Sequence, residues 1–153
     1  MGYTHYWYRP IGSAVETDTW QKICDDTKKL IDAAPGLVAF EDDQPGKPPQ
    51  IDADAIRFNG IGRGGHETFL ISRECPEQPS WRSGEPLYFA FCKTAGKPYD
   101  DIVVGILAIV AHHTKDFAIS SDGSRHDWVT PVRRAAAAVG HPLEIPPKVT
   151  KPG

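Results

Sequence analysis

The sequence predicts an α+β protein in which a mostly antiparallel sheet is covered by about three helices. Three stretches show the 3.6-residue apolar period of helices, and strand-like runs are grouped between the first two of them. Two of these runs are joined by a short glycine-rich segment, which is typical of a hairpin. A doubly wound parallel sheet would need a more regular alternation of strands and helices. The expected order is therefore β-α-β-β-β-α-β-α.

The first half of the chain supplies a strand, a helix and a loop. Residues 3–9, YTHYWYR, are rich in β-forming residues and predict the first strand. Residues 17–34 place apolar side chains on one helix face, and Pro35 with Gly36 ends this helix. Residues 37–43 predict a short strand, and the polar, proline-rich residues 44–54 predict an exposed loop.

The second half supplies the predicted hairpin and two further helices. Its strands are AIRFN at 55–59 and HETFLISRE at 66–74, and EPLYFAFCK at 85–93 predicts another strand. The apolar residues of 98–115 predict a central, largely buried helix. A strand at 117–122 and a helix at 128–139, ended by Gly140, complete the order.

Length and composition favour one domain and exclude several classes of protein. The chain has 153 residues, of which 40% are hydrophobic, so we assign 1–142 to a single α+β domain and 143–153 to an extended, proline-rich tail. The net charge of −3 argues against wrapping duplex nucleic acid, and the longest apolar run is too short to cross a membrane. Three widely spaced cysteines predict neither disulfides nor a cysteine zinc site. We expect a cytosolic protein.

Two loops are candidates for holding an anion. In CKTAGKPYDD (92–101), Lys93, Thr94 and Lys97 lie between a predicted strand and a helix start, where free N–H groups attract phosphate. The segment departs from a P-loop, and the two aspartates that follow also explain it as a capped helix start. In GIGRGGHE (60–67), the glycines, Arg63 and His66 could form an anion nest, although a plain hairpin loop is equally compatible.

The aromatic first strand is a candidate surface for a planar ligand. Because side chains alternate along a strand, Tyr3, His5 and Trp7 share one face, and Tyr6 and Tyr8 share the other. We expect one set to lie in the core and the other to be available for stacking on a base. Tyr3, His5 and Trp7 are assigned to the predicted ligand site.

A hydrolase is the alternative that the polar residues allow. His66, Glu67, His112 and Asp116 offer a general base and charged groups, with His112 and Asp116 spaced four residues apart on the central helix. No complete metal-binding pattern is present, so we expect no metal and no cofactor. His113 is expected in the core, and ISSDG (119–123) is interpreted as a turn because it lacks a nucleophile elbow.

The chain opens with MGYTHYW, continues with IRFNG followed by HETF, and then carries FCKTAGKPYD and ISSDG. Through these segments it resembles a family of small proteins of bacteriophages and prophages for which no activity can be transferred. The resemblance implies a phage or prophage accessory protein in a bacterial cytoplasm, where such proteins often neutralise a component of host defence.

The predicted function is the binding of a small anionic ligand, such as a nucleotide or a nucleotide-derived signal, by a possible homo-oligomer. The ligand would contact Tyr3, His5, Trp7, Arg63, His66, Lys93, Thr94 and Lys97. The first alternative is a metal-assisted or histidine-dependent hydrolase. A second is an inhibitor that binds a host protein through Trp81 and Tyr88.

Overall fold

The computed structural model describes residues 3–76 and 87–150. In chain order the elements are β1 (Thr4–Pro10), α1 (Thr17–Asp32), β2 (Val38–Ala39), β3 (Gln50–Ile51), β4 (Ala55–Gly60), β5 (Phe69–Ser72), β6 (Leu87–Lys93), α2 (Asp100–His113), β7 (Ala118–Ser121) and α3 (Arg125–Val139). Every strand pairing among these residues is antiparallel. The α+β prediction is confirmed, and the order of elements roughly matches the predicted one.

The strands form two sheets. In the first, β1 is the central strand between β6 and β7, so residues near the start of the chain pair with residues far along it. In the second, β4 pairs with β5 as the predicted hairpin and also with the two-residue strands β2 and β3.

Side chains of β1 join the two sheets. Trp7 packs on Phe69 with 5.4 Å between ring centroids. Arg9, which is only 3% exposed, donates hydrogen bonds to the carbonyl groups of Ser72 and Arg73 at the end of β5. The buried guanidinium therefore satisfies carbonyl groups where the two sheets meet.

Helix α2 forms the centre of the core. All residues from Ile102 to Val110 are buried, because α1 and α3 pack against this helix. Gly105 allows close packing, since a Cβ atom there would lie 2.7 Å from Leu30 Cδ2 and 3.1 Å from the Cβ of Ala135. The prediction of a largely buried central helix is borne out by this packing. Among the described residues, no helix combines the length and apolar character that crossing a bilayer requires.

Two segments expected to be loose pack against the helices. Gln50 and Ile51, in the predicted exposed loop, form β3, and the carbonyl of Asp52 accepts a 2.8 Å hydrogen bond from Trp20 Nε1. In the proline-rich tail, Val149 is buried and Arg125 donates to its carbonyl oxygen. Both segments use carbonyl groups, which polar and proline-rich sequences retain, to bond with helix side chains.

Candidate functional site

The two faces of β1 differ in exposure: Tyr6 and Tyr8 are partly exposed on one face, whereas His5 and Trp7 are buried on the other. His5 and Trp7 are 0% and 2% exposed, and the His5 ring lies edge-on between the rings of Tyr3 and Trp128, with centroids 5.2 and 5.5 Å away. The assignment of His5 and Trp7 to a ligand site is therefore corrected: both side chains belong to the core. Tyr3 is partly exposed at the edge of this packing.

The opposite face carries a layer of aromatic rings on β1 and β6. The aromatic layer consists of Tyr6, Tyr8, Phe89 and Phe91. Phe89 is its centre, 6.0 Å from Tyr6, 5.0 Å from Tyr8 and 5.7 Å from Phe91 between ring centroids. Phe91 is 51% exposed, which is unusual for so large an apolar side chain. Alternation along β6 places Lys93 on the same face, next to Phe91.

A cavity of about 330 Å³ adjoins the aromatic layer at the other end of β1. Tyr8 belongs to both the layer and the cavity wall. Leu87 and Phe117 supply further apolar wall, and Lys115 and Lys148 lie at its edge together with the carboxylate of Asp116. Lys115 lies just after α2 and Lys148 lies in the tail, and neither was among the residues predicted from sequence.

The loop at 92–101 uses its backbone donors internally. The N–H groups of Thr94 and Ala95 both donate to the carbonyl of Tyr3, and that of Lys97 donates to the carbonyl of Thr94. The N–H of Gly96 donates to the Thr94 hydroxyl, which is buried and donates to Asp100. Thr94 is therefore a structural residue in this loop rather than a ligand contact. An anion here would depend on the side chains of Lys93 and Lys97.

The glycine loop is also internally bonded. Gly62–Gly64 forms a 3₁₀ turn in which Gly64 and Gly65 donate to carbonyls of the same loop, and Gly62 donates to Asp42. Arg63 and His66 are exposed on this turn. The loop is therefore a tightly closed hairpin connection with the side chains of Arg63 and His66 at its surface.

Three predicted segments do meet at the backbone level. The N–H of Glu67 donates to the carbonyl of Lys93, and Glu67 Oε1 accepts from the Lys93 N–H at 2.9 Å. The start of β1 adjoins the same place, because Tyr3 accepts from the residues that follow Lys93. The exit of the glycine loop, the lysine loop and the aromatic strand are thus neighbours.

The predicted hydrolase residues divide between the two ends of α2. The Tyr99 hydroxyl, at the beginning of this helix, donates to the carbonyl of Glu67, so His66 and Glu67 lie at that end. His112 lies in the last turn, and a 14-residue helix is about 20 Å long. His66 and Glu67 cannot act together with His112 and Asp116 on one bond.

A hydrogen-bonded chain that sequence reasoning missed runs through His5. Its Nδ1 lies 2.8 Å from Ser121 Oγ, and its Nε2 lies 2.6 Å from Asp100 Oδ1. This is the connectivity of a nucleophile, a base and an orienting carboxylate. Ser121 Oγ also accepts from the N–H of Gly123, so the same contacts close the turn after β7.

A second missed group, which we call the histidine cluster, consists of Asp26, His112, His113 and His141. Asp26 Oδ2 lies 2.7 Å from His113 Nε2 and 2.8 Å from His141 Nε2. The rings of His112 and His141 stack with centroids 4.5 Å apart. His113 is therefore hydrogen-bonded at the edge of the core rather than enclosed within it.

Charges inside the cluster shift its pKa values in opposite directions. Burial would raise the pKa of Asp26, but hydrogen bonds from His113 and His141 outweigh it and hold the pKa below the usual range. The Asp26 hydrogen bond and the Pro142 carbonyl raise the pKa of His141. Burial and the neighbouring His113 and His141 lower the pKa of His112. His112 is therefore favoured as a neutral imidazole.

Comparisons with known proteins give no relative for this chain: no family model, curated protein or solved structure matches it.

Trp81, one of the two residues predicted to contact a protein partner, lies outside the described residues. Tyr88, the other, is partly buried on β6.

Proposed function

We propose that the protein binds a nucleoside phosphate on the outer face of the β6-β1-β7 sheet. The base stacks on the aromatic layer, and the phosphate lies near Lys115 and Lys148. The observation that carries the proposal is the continuity of four aromatic rings with a cavity that has two lysines at its edge.

The aromatic layer and the lysines at the cavity together favour a ligand that has both a flat ring and negative charge. Stacking of a base on an aromatic side chain contributes about 1–3 kcal/mol and requires no particular base. Lys115 and Lys148 outnumber the single carboxylate of Asp116 at the cavity, which favours an anion. A cavity of about 330 Å³ is within the range of small-molecule sites.

Lys93 lies at the far end of the same face and extends the basic character of this surface. A ligand with two phosphates or two bases would span the layer between Lys93 and the cavity. The lysine loop thus enters the proposal through the side chain of Lys93 rather than through its N–H groups.

The role in phages and against host defence stays a prediction from the resemblance.

Binding variants test the proposal with matched controls. Calorimetric titration with nucleoside mono-, di- and triphosphates and cyclic nucleotides is expected to give saturable binding. Tyr8→Leu keeps apolar bulk but removes the flat ring, and we expect it to weaken binding about tenfold. Lys148→Ala is expected to weaken binding of the more highly charged nucleotides most.

Leu70→Ala and Lys28→Ala serve as controls, because Leu70 is 49% exposed on the other sheet and Lys28 is exposed on α1. Both should bind like the unaltered protein. Equal binding by Tyr8→Leu, Lys148→Ala and the unaltered protein would refute the proposed site. An absence of binding by every nucleotide would refute the function.

A second candidate function is a histidine-dependent hydrolase, which the chain from Ser121 through His5 to Asp100 favours. Ser121 Oγ would attack the carbonyl carbon of an ester or amide as its proton passes to His5 Nδ1, and the carbonyl π electrons would move to the carbonyl oxygen. The adduct would collapse as the leaving group departs with the proton from His5, and water would then hydrolyse the acyl-enzyme. Asp100 would accept a hydrogen bond from His5 Nε2 in both steps. We expect a fluorophosphonate probe to label Ser121 covalently, and mass spectrometry of the labelled peptide identifies the site. Ser121→Ala should abolish labelling, whereas Ser120→Ala should retain it. An absence of labelling in the unaltered protein would exclude Ser121 as an accessible nucleophile.

A further inference from the structure

The histidine cluster joins three separate parts of the fold. Asp26 lies on α1, His112 and His113 form the last turn of α2, and His141 follows the end of α3. One nitrogen from each of the three imidazoles can be chosen so that all lie within 4.8 Å of one another. The four side chains thus converge although their positions span more than a hundred residues.

The three ring nitrogens lie within 4.8 Å of one another, which is somewhat wider than the spacing in an assembled tetrahedral metal site. With metal–nitrogen bonds of about 2.0–2.1 Å, ligand nitrogens in such a site lie about 3.3 Å apart. Asp26 Oδ2 is already within 2.7 and 2.8 Å of two ring nitrogens, so an ion would widen these distances only slightly. His112 is exposed and can rotate to close the remaining gap.

The surroundings also favour a cation. His112 and His113 lie at the carboxyl end of α2, and His141 lies just beyond the carboxyl end of α3, where helix dipoles are negative. The His112 ring makes no hydrogen bond to the residues at 3–76 and 87–150, so its nitrogens are available. Lys29 and Lys115 oppose a cation, but both are exposed and their charges are screened by solvent.

We propose that the histidine cluster binds one divalent transition-metal ion, zinc in the first place, through His112, His113, His141 and Asp26. Imidazole nitrogens with one carboxylate suit zinc, cobalt and nickel, whereas magnesium and calcium prefer oxygen ligands. Four protein ligands make this a structural site that fixes α1, the end of α2 and the segment directly after α3 together. The proposal is independent of the nucleotide site.

The test uses the full chain without an affinity tag, stripped with chelator and kept reduced. Equilibrium dialysis with elemental analysis is expected to show one zinc per chain. Free zinc at about 100 times its dissociation constant should raise the unfolding midpoint by about 5–10 °C. Cobalt in place of zinc should give the intense visible bands of a four-coordinate ion.

Two variants and one control identify the ligands. His112→Ala and His141→Ala should each weaken zinc binding more than tenfold and remove the intense cobalt bands. His126→Ala should leave both unchanged, because His126 is exposed in the first turn of α3 and outside the cluster. Since His112 is exposed, His112→Ala should fold, and circular dichroism without metal checks this.

Zinc binding of equal strength by His112→Ala, His141→Ala and the unaltered protein would overturn the proposal. So would an unfolding midpoint that does not change with zinc, or weak cobalt bands typical of a six-coordinate ion. A loss of binding in His126→Ala alone would place the ion elsewhere.

Discussion

Replacing Asp100 with alanine is expected to lower the free energy of unfolding by about 3 kcal/mol. Asp100 Oδ1 lies 2.6 Å from both His5 Nε2 and Thr94 Oγ1, and the side chains of His5 and Thr94 are enclosed. The alanine variant would leave the His5 ring nitrogen without a partner, and the Thr94 hydroxyl, which still accepts from the Gly96 N–H, without an acceptor for its own proton. Urea unfolding followed by circular dichroism measures the change.

Asp101→Ala is the matched control for this prediction. Asp101 is the next residue in the same helical turn, but it pairs with Arg134, whose side chain is 67% exposed. Exposed pairs contribute about 0–1 kcal/mol, so Asp101→Ala should unfold close to the unaltered protein. Similar losses for the two variants would mean that the helix start, rather than the buried hydrogen bonds, determines the effect.

Gly60→Ala is expected to destabilise the protein by about 3 kcal/mol or more. A Cβ atom at this position would lie 2.2 Å from the carbonyl oxygen of Gly64 and 2.7 Å from its carbonyl carbon. Both are backbone atoms of the tightly bonded glycine loop, so the whole turn would have to move. The midpoint of urea unfolding should fall accordingly.

The same loop offers a control in Gly64→Ala. A Cβ atom there meets no other atom within 4 Å, and the backbone is outside the left-handed region. We expect a change within about 0.5 kcal/mol. If Gly60→Ala were equally mild, the close approach of Gly60 to Gly64 would not be a constraint in solution.

Local patterns predicted the elements well. The apolar period placed the three helices within a few residues of α1, α2 and α3, and the glycine-rich segment marked the β4–β5 hairpin. These signals are local because a helix or a hairpin satisfies its hydrogen bonds within a short stretch of chain. Alternation also grouped Tyr3, His5 and Trp7 correctly on one face of a strand.

Alternation does not tell which of the two faces is covered. His5 and Trp7 were assigned to a ligand site, whereas the aromatic layer on the opposite face contains the partly exposed Tyr6 and the unpredicted, exposed Phe91. Which face of β1 is covered depends on where the helices pack against the sheet. Residues far along the chain determine that packing.

The backbone donors of the lysine loop could not be assigned from sequence for a related reason. The N–H groups of Thr94 and Ala95 are taken by the carbonyl of Tyr3, about ninety residues earlier. The positions of His141 in the histidine cluster and of Lys148 at the cavity depend in the same way on the path that the chain takes after Gly140. Local sequence signals only that α3 stops at this glycine.

The central position of β1 has a consequence for the order in which the protein is made. His5 and its neighbour Ser121 are 116 positions apart, and β6 also follows long after β1. At a synthesis rate of about 5–20 residues per second, the edge that pairs with β6 stays unpaired for at least about 4 s, and the edge that pairs with β7 for at least about 6 s. During that interval the unpaired N–H and C=O groups of β1 can pair with other chains and cause aggregation. A chaperone that shields Thr4–Pro10 is therefore expected to raise the yield of folded protein.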